Sequence, residues 1–133
     1  MTDYRDCRLS FAGGENELAG PPDALRDLCR LLRADPEAIE VPVRGGTVAQ
    51  ARTAGPLLVG VRDGNVLCLS GGVEYLDIVW DALDGLAEQS ETAEDRAIHR
   101  HQHIEYYPGD EYRSPDSVPL IIVADWPDES GPC

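Results

Sequence analysis

The sequence predicts an α+β fold, a mainly antiparallel sheet of about six strands with two helices on one face. Three observations predict it. Two runs carry apolar residues at helical spacing, each entered through a Pro-Pro or Gly-Gly pair. Around them lie short strand-like runs, two joined by Asp63-Gly64, a strong two-residue hairpin signal. The order also repeats: CRLSFAGG before the first helix echoes VLCLSGG before the second, and two further strand candidates follow each helix. One domain, residues 1–133, is therefore expected, with β-α-β-β half-repeats at 5–62 and 65–124.

In order, residues 5–11 read as a short strand ending at Gly13-Gly14, followed by a loop. Pro21-Pro22 opens the first helix, because proline's missing N–H is no loss in the first turn. Leu25, Leu28, Cys29 and Leu32 form its buried face, and Asp35-Pro36 ends it. Residues 37–43 read as a strand. The glycine-rich segment 44–56 reads as a loop with at most a short edge strand. Strands at 57–62 and 65–70 follow, then a helix over 73–89 buried through Leu76, Val79, Trp80, Leu83, Leu86 and Ala87. Residues 90–97 are polar. The closing hairpin pairs a histidine-bearing strand with 118–124, whose unbroken apolar run Leu120-Ile121-Ile122-Val123 places it mid-sheet.

The balance of 25 carboxylates against 11 arginines and no lysine, net charge −14, argues against nucleic acid or an anionic membrane as partner. It favours a basic partner. No run approaches the ~20 apolar residues of a membrane span. MTDYRDCRLSF lacks the basic-then-apolar order of a secretory signal, which predicts a cytoplasmic protein. The cysteines Cys7, Cys29, Cys68 and Cys133 show no zinc-like spacing. The first three lie in apolar segments and read as buried free thiols.

His99, His101 and His103 alternate along a strand and so share one face, with Glu105 continuing the row. Imidazoles two apart beside a carboxylate make a candidate zinc, copper or iron site and the alternative reading of the chain, a metal-binding protein or metal-dependent enzyme. The plainer reading of the row is a solvent-facing strand. Nucleophilic catalysis finds no GxSxG and no catalytic cysteine context, so no catalytic residue is assigned and the chain reads as a non-enzyme without a cofactor.

Two acidic surfaces stand out. On the second helix Glu74, Asp77, Asp81, Asp84 and Glu88 recur every three or four residues with no cation among them, and like charges so spaced do not stabilise a helix. Near the end of the chain, Asp110, Glu111, Asp116, Asp125 and Asp128 surround Tyr106, Tyr107, Tyr112 and Trp126. Aromatic anchors ringed by charge suit a protein interface.

LSGGVEYLDIVWDALDGLA followed by HxHIEYYPGDEYRSPDSVPLIIVADWP resembles the bacterial immunity protein 32 family of polymorphic toxin systems, over about residues 65–127. The matching points are Gly71-Gly72, His101-x-His103 with Glu105 and Tyr106, and Ser117 to Ile122. The resemblance implies a small α+β cytoplasmic protein encoded beside a toxin and binding it to block self-intoxication. It carries no catalytic residues over. The expected partner is a cognate, basic protein toxin, met by Asp77, Asp81, Asp84, Glu88, Tyr107, Asp110, Glu111, Tyr112 and Asp116.

Overall fold

The computed structural model describes residues 4–11, 15–91 and 100–125. After a 3-10 turn at Tyr4–Asp6 come β1 (Arg8–Ser10), β2 (Asn16–Gly20), α1 (Pro22–Ala34), β3 (Ala38–Val43) and β4 (Gly46–Arg52). β5 (Leu58–Arg62), β6 (Val66–Gly71), α2 (Val73–Glu91), β7 (Arg100–Ile104) and β8 (Leu120–Ala124) complete the order. The fold is α+β, as the sequence indicates.

The strand plan differs from the expectation. Eight described strands form two four-stranded mixed sheets, β1-β2-β8-β7 and β3-β4-β6-β5, in place of one sheet of about six. Two segments read as loops are strands. β2 lies where a loop was expected after residue 11, and β4 fills most of 44–56. Both are central in their sheets. Their sequences, NELAG and GTVAQAR, are small and polar enough to hide a strand; tertiary pairing rather than propensity makes them extended.

Each sheet is built alike: an antiparallel hairpin, a central parallel pair (β2 with β8, β4 with β6), and a second antiparallel hairpin. The chain order is therefore β-β-α-β-β twice. Exchanging β1 with β5, β2 with β6, β3 with β7 and β4 with β8 carries one sheet order onto the other. The repeat is thus not the β-α-β-β unit expected at 5–62 and 65–124. The sequence echo shifts too: the counterpart of Leu69-Ser70-Gly71 before α2 is Leu18-Ala19-Gly20 before α1, not the segment at 7–14.

A hairpin does form at Asp63-Gly64, both residues at positive φ, 56° and 76°, with the Asn65 N–H donating to Arg62 O at 3.3 Å, but pairing of Arg62 with Val66 makes its loop three residues long instead of two. β8 does lie inside its sheet, between β2 and β7, but Leu120, Ile122 and Ala124 alternate with half-buried Ile121 and Val123. Leu18, Leu25, Leu28, Leu32, Leu67, Leu69, Leu76, Leu83, Ile104 and Ile122 are fully buried in one cluster that spans both sheets and both helices. Burying each such side chain contributes roughly 1.5–3 kcal/mol.

Candidate functional site

The second helix meets the first along its acidic stripe. Arg33 lies 3.6 Å from Asp77, 3.2 Å from Asp81 and 4.0 Å from Asp84. Arg26 lies 3.6 Å from Asp84 and 2.5 Å from Glu91. Asp77 and Asp84 remain about half exposed and Asp81 more so. The cations missing from α2 are thus supplied by α1, whose arginines look like ordinary balanced surface on their own helix. A signal was available: Arg26, Arg30 and Arg33 repeat the spacing of Asp77, Asp81 and Asp84. A small hollow of about 260 Å³ beside this seam is lined by Arg26, Cys29, Arg30, Arg33 and Asp84. Glu88 is exposed on the same helix.

The closing segment forms the other surface. Between β7 and β8, residues 105–119 leave the sheet and lie along β5. The Leu57 N–H donates to Tyr112 O at 2.9 Å, the Ser114 N–H to Leu57 O at 2.7 Å, and the Val118 N–H to Val59 O at 2.9 Å. Ser117 Oγ accepts from the Val59 N–H at 3.1 Å. Asp110 organises the bend: its Oδ1 accepts from the N–H of Tyr112 at 2.8 Å and of Arg113 at 3.3 Å, and Oδ2 takes the Arg113 guanidinium at 3.1 Å. These donors, the Tyr112 N–H foremost, hold the Asp110 carboxyl below its ordinary pKa. Asp110, expected as a contact residue, therefore has a structural task in the loop.

What the loop displays is aromatic and acidic. Tyr107 and Tyr112 are each 61% exposed, the largest exposures among the big apolar side chains described. The Tyr112 ring leans on Tyr75 of α2, centroids 6.3 Å apart. Sequence reasoning did not single out Tyr75, because its partner ring lies 37 residues further on in the chain. Glu111 and Asp116 are exposed and have no ion pair among the described residues; nor has Glu74, beside Tyr75. Seven arginines elsewhere, and Arg113 within the loop, each have a carboxylate within 4.0 Å. Asp125 belongs to another place. It is nearly buried at the end of β8 and paired with Arg8 of β1, and its Oδ1 has no hydrogen-bond partner. Trp126 and Asp128 lie outside the described residues.

His101 and His103 are exposed on β7 with rings edge to face, centroids 5.2 Å apart. His103 Nδ1 lies 3.6 Å from Glu105 Oε1. His99 lies outside the described residues. Among the described residues, no three or more His, Cys, Asp or Glu side chains converge well enough to hold a metal ion. Cys7 and Cys29 are buried free thiols, as expected, while Cys68 is partly exposed; Cys133 lies outside the described residues. Burial pushes the Cys7 thiol up to about 12 and raises that of Cys29.

Fold and surface together define a small α+β protein that displays tyrosines and unpaired carboxylates on a pinned loop. In the comparison with known families, residues 67–125 match the family model described as Immunity protein 32. That stretch runs from β6 through α2 and β7 to the end of β8, the displayed loop included. The match suggests a toxin-neutralising immunity role, which implies a toxin protein as partner; immunity families are generally non-enzymatic. No curated protein and no solved structure matches the chain. No described helix is long and apolar enough to cross a membrane.

Proposed function

We propose that this protein is a cytoplasmic, non-enzymatic immunity protein that binds a cognate basic toxin and blocks its activity, using acidic side chains and exposed aromatics. The observation that carries the reading is the match of residues 67–125 to the Immunity protein 32 family model. Net charge of −14 supports a basic partner, since complementary fields speed encounter and exclude nucleic acid as a competitor. The candidate surfaces are those described above: the α2 row Asp77, Asp81, Asp84 and Glu88, and the loop residues Tyr107, Asp110, Glu111, Tyr112 and Asp116.

The test is co-expression with the toxin encoded beside its gene. Growth should be restored by this protein and by no unrelated acidic protein. Purified, the two should bind with an association rate that falls steeply as salt rises, because exposed charges are screened over about 10 Å at 0.1 M. Absence of a stable complex at low salt refutes the proposal.

A further inference from the structure

The two β-β-α-β-β units differ most in one connection. In the first unit, β3 and β4 are joined by Arg44 and Gly45 alone. That two-residue turn suffices to close the structure, since the Arg44 N–H donates to Cys7 O at 3.0 Å and its carbonyl accepts from the Leu9 N–H at 2.8 Å. In the second unit the equivalent connection, β7 to β8, takes residues 105–119; its Ser114 N–H donates to Leu57 O as the Arg44 N–H does to Cys7 O, while Val59 of β5 donates to Ser117 Oγ and accepts from the Val118 N–H. The fold needs two residues at this corner. The extra chain is therefore beyond what folding requires, and long insertions in one copy of a repeated unit commonly mark a binding loop.

The insertion is also held in place. Three backbone hydrogen bonds and the Ser117 hydroxyl fasten it to β5 and to Leu57 just before it, and Asp110 ties its bend. Its exposed tyrosines are thus presented on a prepared surface, so binding need not order the backbone. The loop's own cation is turned inward: Arg113 is held by Asp110 with its side chain three-quarters covered. Glu111, Asp116 and the adjacent Glu74 stay uncompensated, while Asp77 and Asp84 of the α2 row already face Arg26 and Arg33.

We infer that the Tyr75–Tyr112 edge, with Tyr107 and the carboxylates of Glu74, Glu111 and Asp116, is the surface that receives the partner, and that it takes an arginine-bearing segment. The inference rests on the immunity reading for the partner's identity, but its chemistry stands on the loop. A guanidinium stacks on a tyrosine face and donates in a fork to a neighbouring carboxylate, whereas an ammonium does so less well. The α2 row serves mainly to join the two helices.

The probe is a nona-arginine peptide, with nona-lysine at equal charge for comparison, titrated into the full isotopically labelled chain. Amide shifts should concentrate at Glu74, Tyr75, Tyr107, Glu111 and Tyr112, with the arginine peptide binding more tightly. The triple variant Glu74→Gln, Glu111→Gln, Tyr112→Ser should bind about tenfold more weakly or worse, with an unchanged circular dichroism spectrum, and Tyr112→Phe should retain binding. Shifts centred on Asp77 to Asp84, equal affinity for the two peptides, or full binding by the triple variant would overturn the inference. Protection of cells separates it from the immunity reading. If the wild type protects against the neighbouring toxin and the triple variant protects equally, the surface is wrong and immunity stands. If the wild type gives no protection, the immunity reading fails while the peptide map still decides the surface.

Discussion

The indole N–H of Trp80 on α2 donates to Gln50 Oε1 on β4 at 2.8 Å, deep in the core. The Gln50 amide nitrogen in turn donates to Leu32 O at 2.8 Å and reaches Asp35 O at 3.4 Å. The reason lies in the sequence: the natural helical partner of Leu32 O would be the N–H of residue 36, and residue 36 is proline. One buried glutamine thus closes the C-terminal end of α1 and fixes α2 at once.

Gln50→Leu leaves the Trp80 N–H and the Leu32 carbonyl unpaired, at roughly 1–3 kcal/mol each, so a loss of about 2–6 kcal/mol is expected. Trp80→Phe should also destabilise, by leaving Gln50 Oε1 unpaired. Combined, the two should cost less than their sum by about 1 kcal/mol or more, since the removed groups satisfied one another. Urea unfolding of the four proteins measures this; strict additivity would show that the bond contributes nothing.

Gly46 and Gly85 should answer to alanine in opposite directions. A Cβ on Gly46 would stand 2.1 Å from the carbonyl oxygen of Asn65, where Thr47 also donates at 3.0 Å. That contact is backbone and cannot rotate away, so Gly46→Ala should cost more than about 2 kcal/mol. Gly85, inside α2, has open space where its Cβ would be. Gly85→Ala should stabilise by about 0.5–1 kcal/mol through helix propensity. Melting temperatures of the two variants should fall on either side of the wild type.

The sequence showed the helices because their apolar spacing is strong, and the β5–β6 hairpin because Asp63-Gly64 permits few other backbones. It hid β2 and β4, whose NELAG and GTVAQAR are extended only by their neighbours, and with them the split into two sheets. The tyrosines and acids of the loop were legible from composition. That Asp110 works inside the loop, that Tyr75 joins Tyr112, and that α1 supplies cations to the α2 row are facts of long-range packing, outside the reach of local pattern. The acid count was visible; which acids stay unpaired was not.

Cys7 predicts an alkaline weakness. Its side chain is fully buried, and desolvation foremost, with Asp6 next, raises the thiol from 9.0 to about 12. The folded state keeps this proton where the unfolded chain releases it. Between pH 9 and 12 the native state therefore binds more protons, and stability falls as pH rises through that window. Below pH 9 the full contribution is present. The loss should be on the order of 4 kcal/mol by pH 12, at about 1.4 kcal/mol per unit. Cys7→Ala, offset by its cavity, should lack this component of the slope; equal slopes for the two proteins from pH 8 to 11 would contradict it.

The two β-β-α-β-β units should be separable in chain but not in fold. Each gives one hairpin to each sheet, so neither can complete a sheet alone, and an isolated hairpin is marginal in water. Aligning Gly20 with Gly71 sets Arg26, Arg30 and Arg33 at the positions of Asp77, Asp81 and Asp84, and the pairs observed, Arg26 with Asp84 and Arg33 with Asp77, are mirror partners across that alignment. Two first units packed together would bring arginine against arginine, and two second units aspartate against aspartate. Opposite charge at equivalent positions therefore selects the unlike pair over either like pair. A protease site placed between Ala54 and Gly55, where Thr53 and Ala54 are exposed, tests this. After cleavage the fragments should elute as a 1:1 complex with a melting temperature that rises with concentration. Separated in denaturant and refolded apart, each should lack cooperative unfolding, and mixing should restore it; a stable homodimer of either fragment would contradict the charge argument.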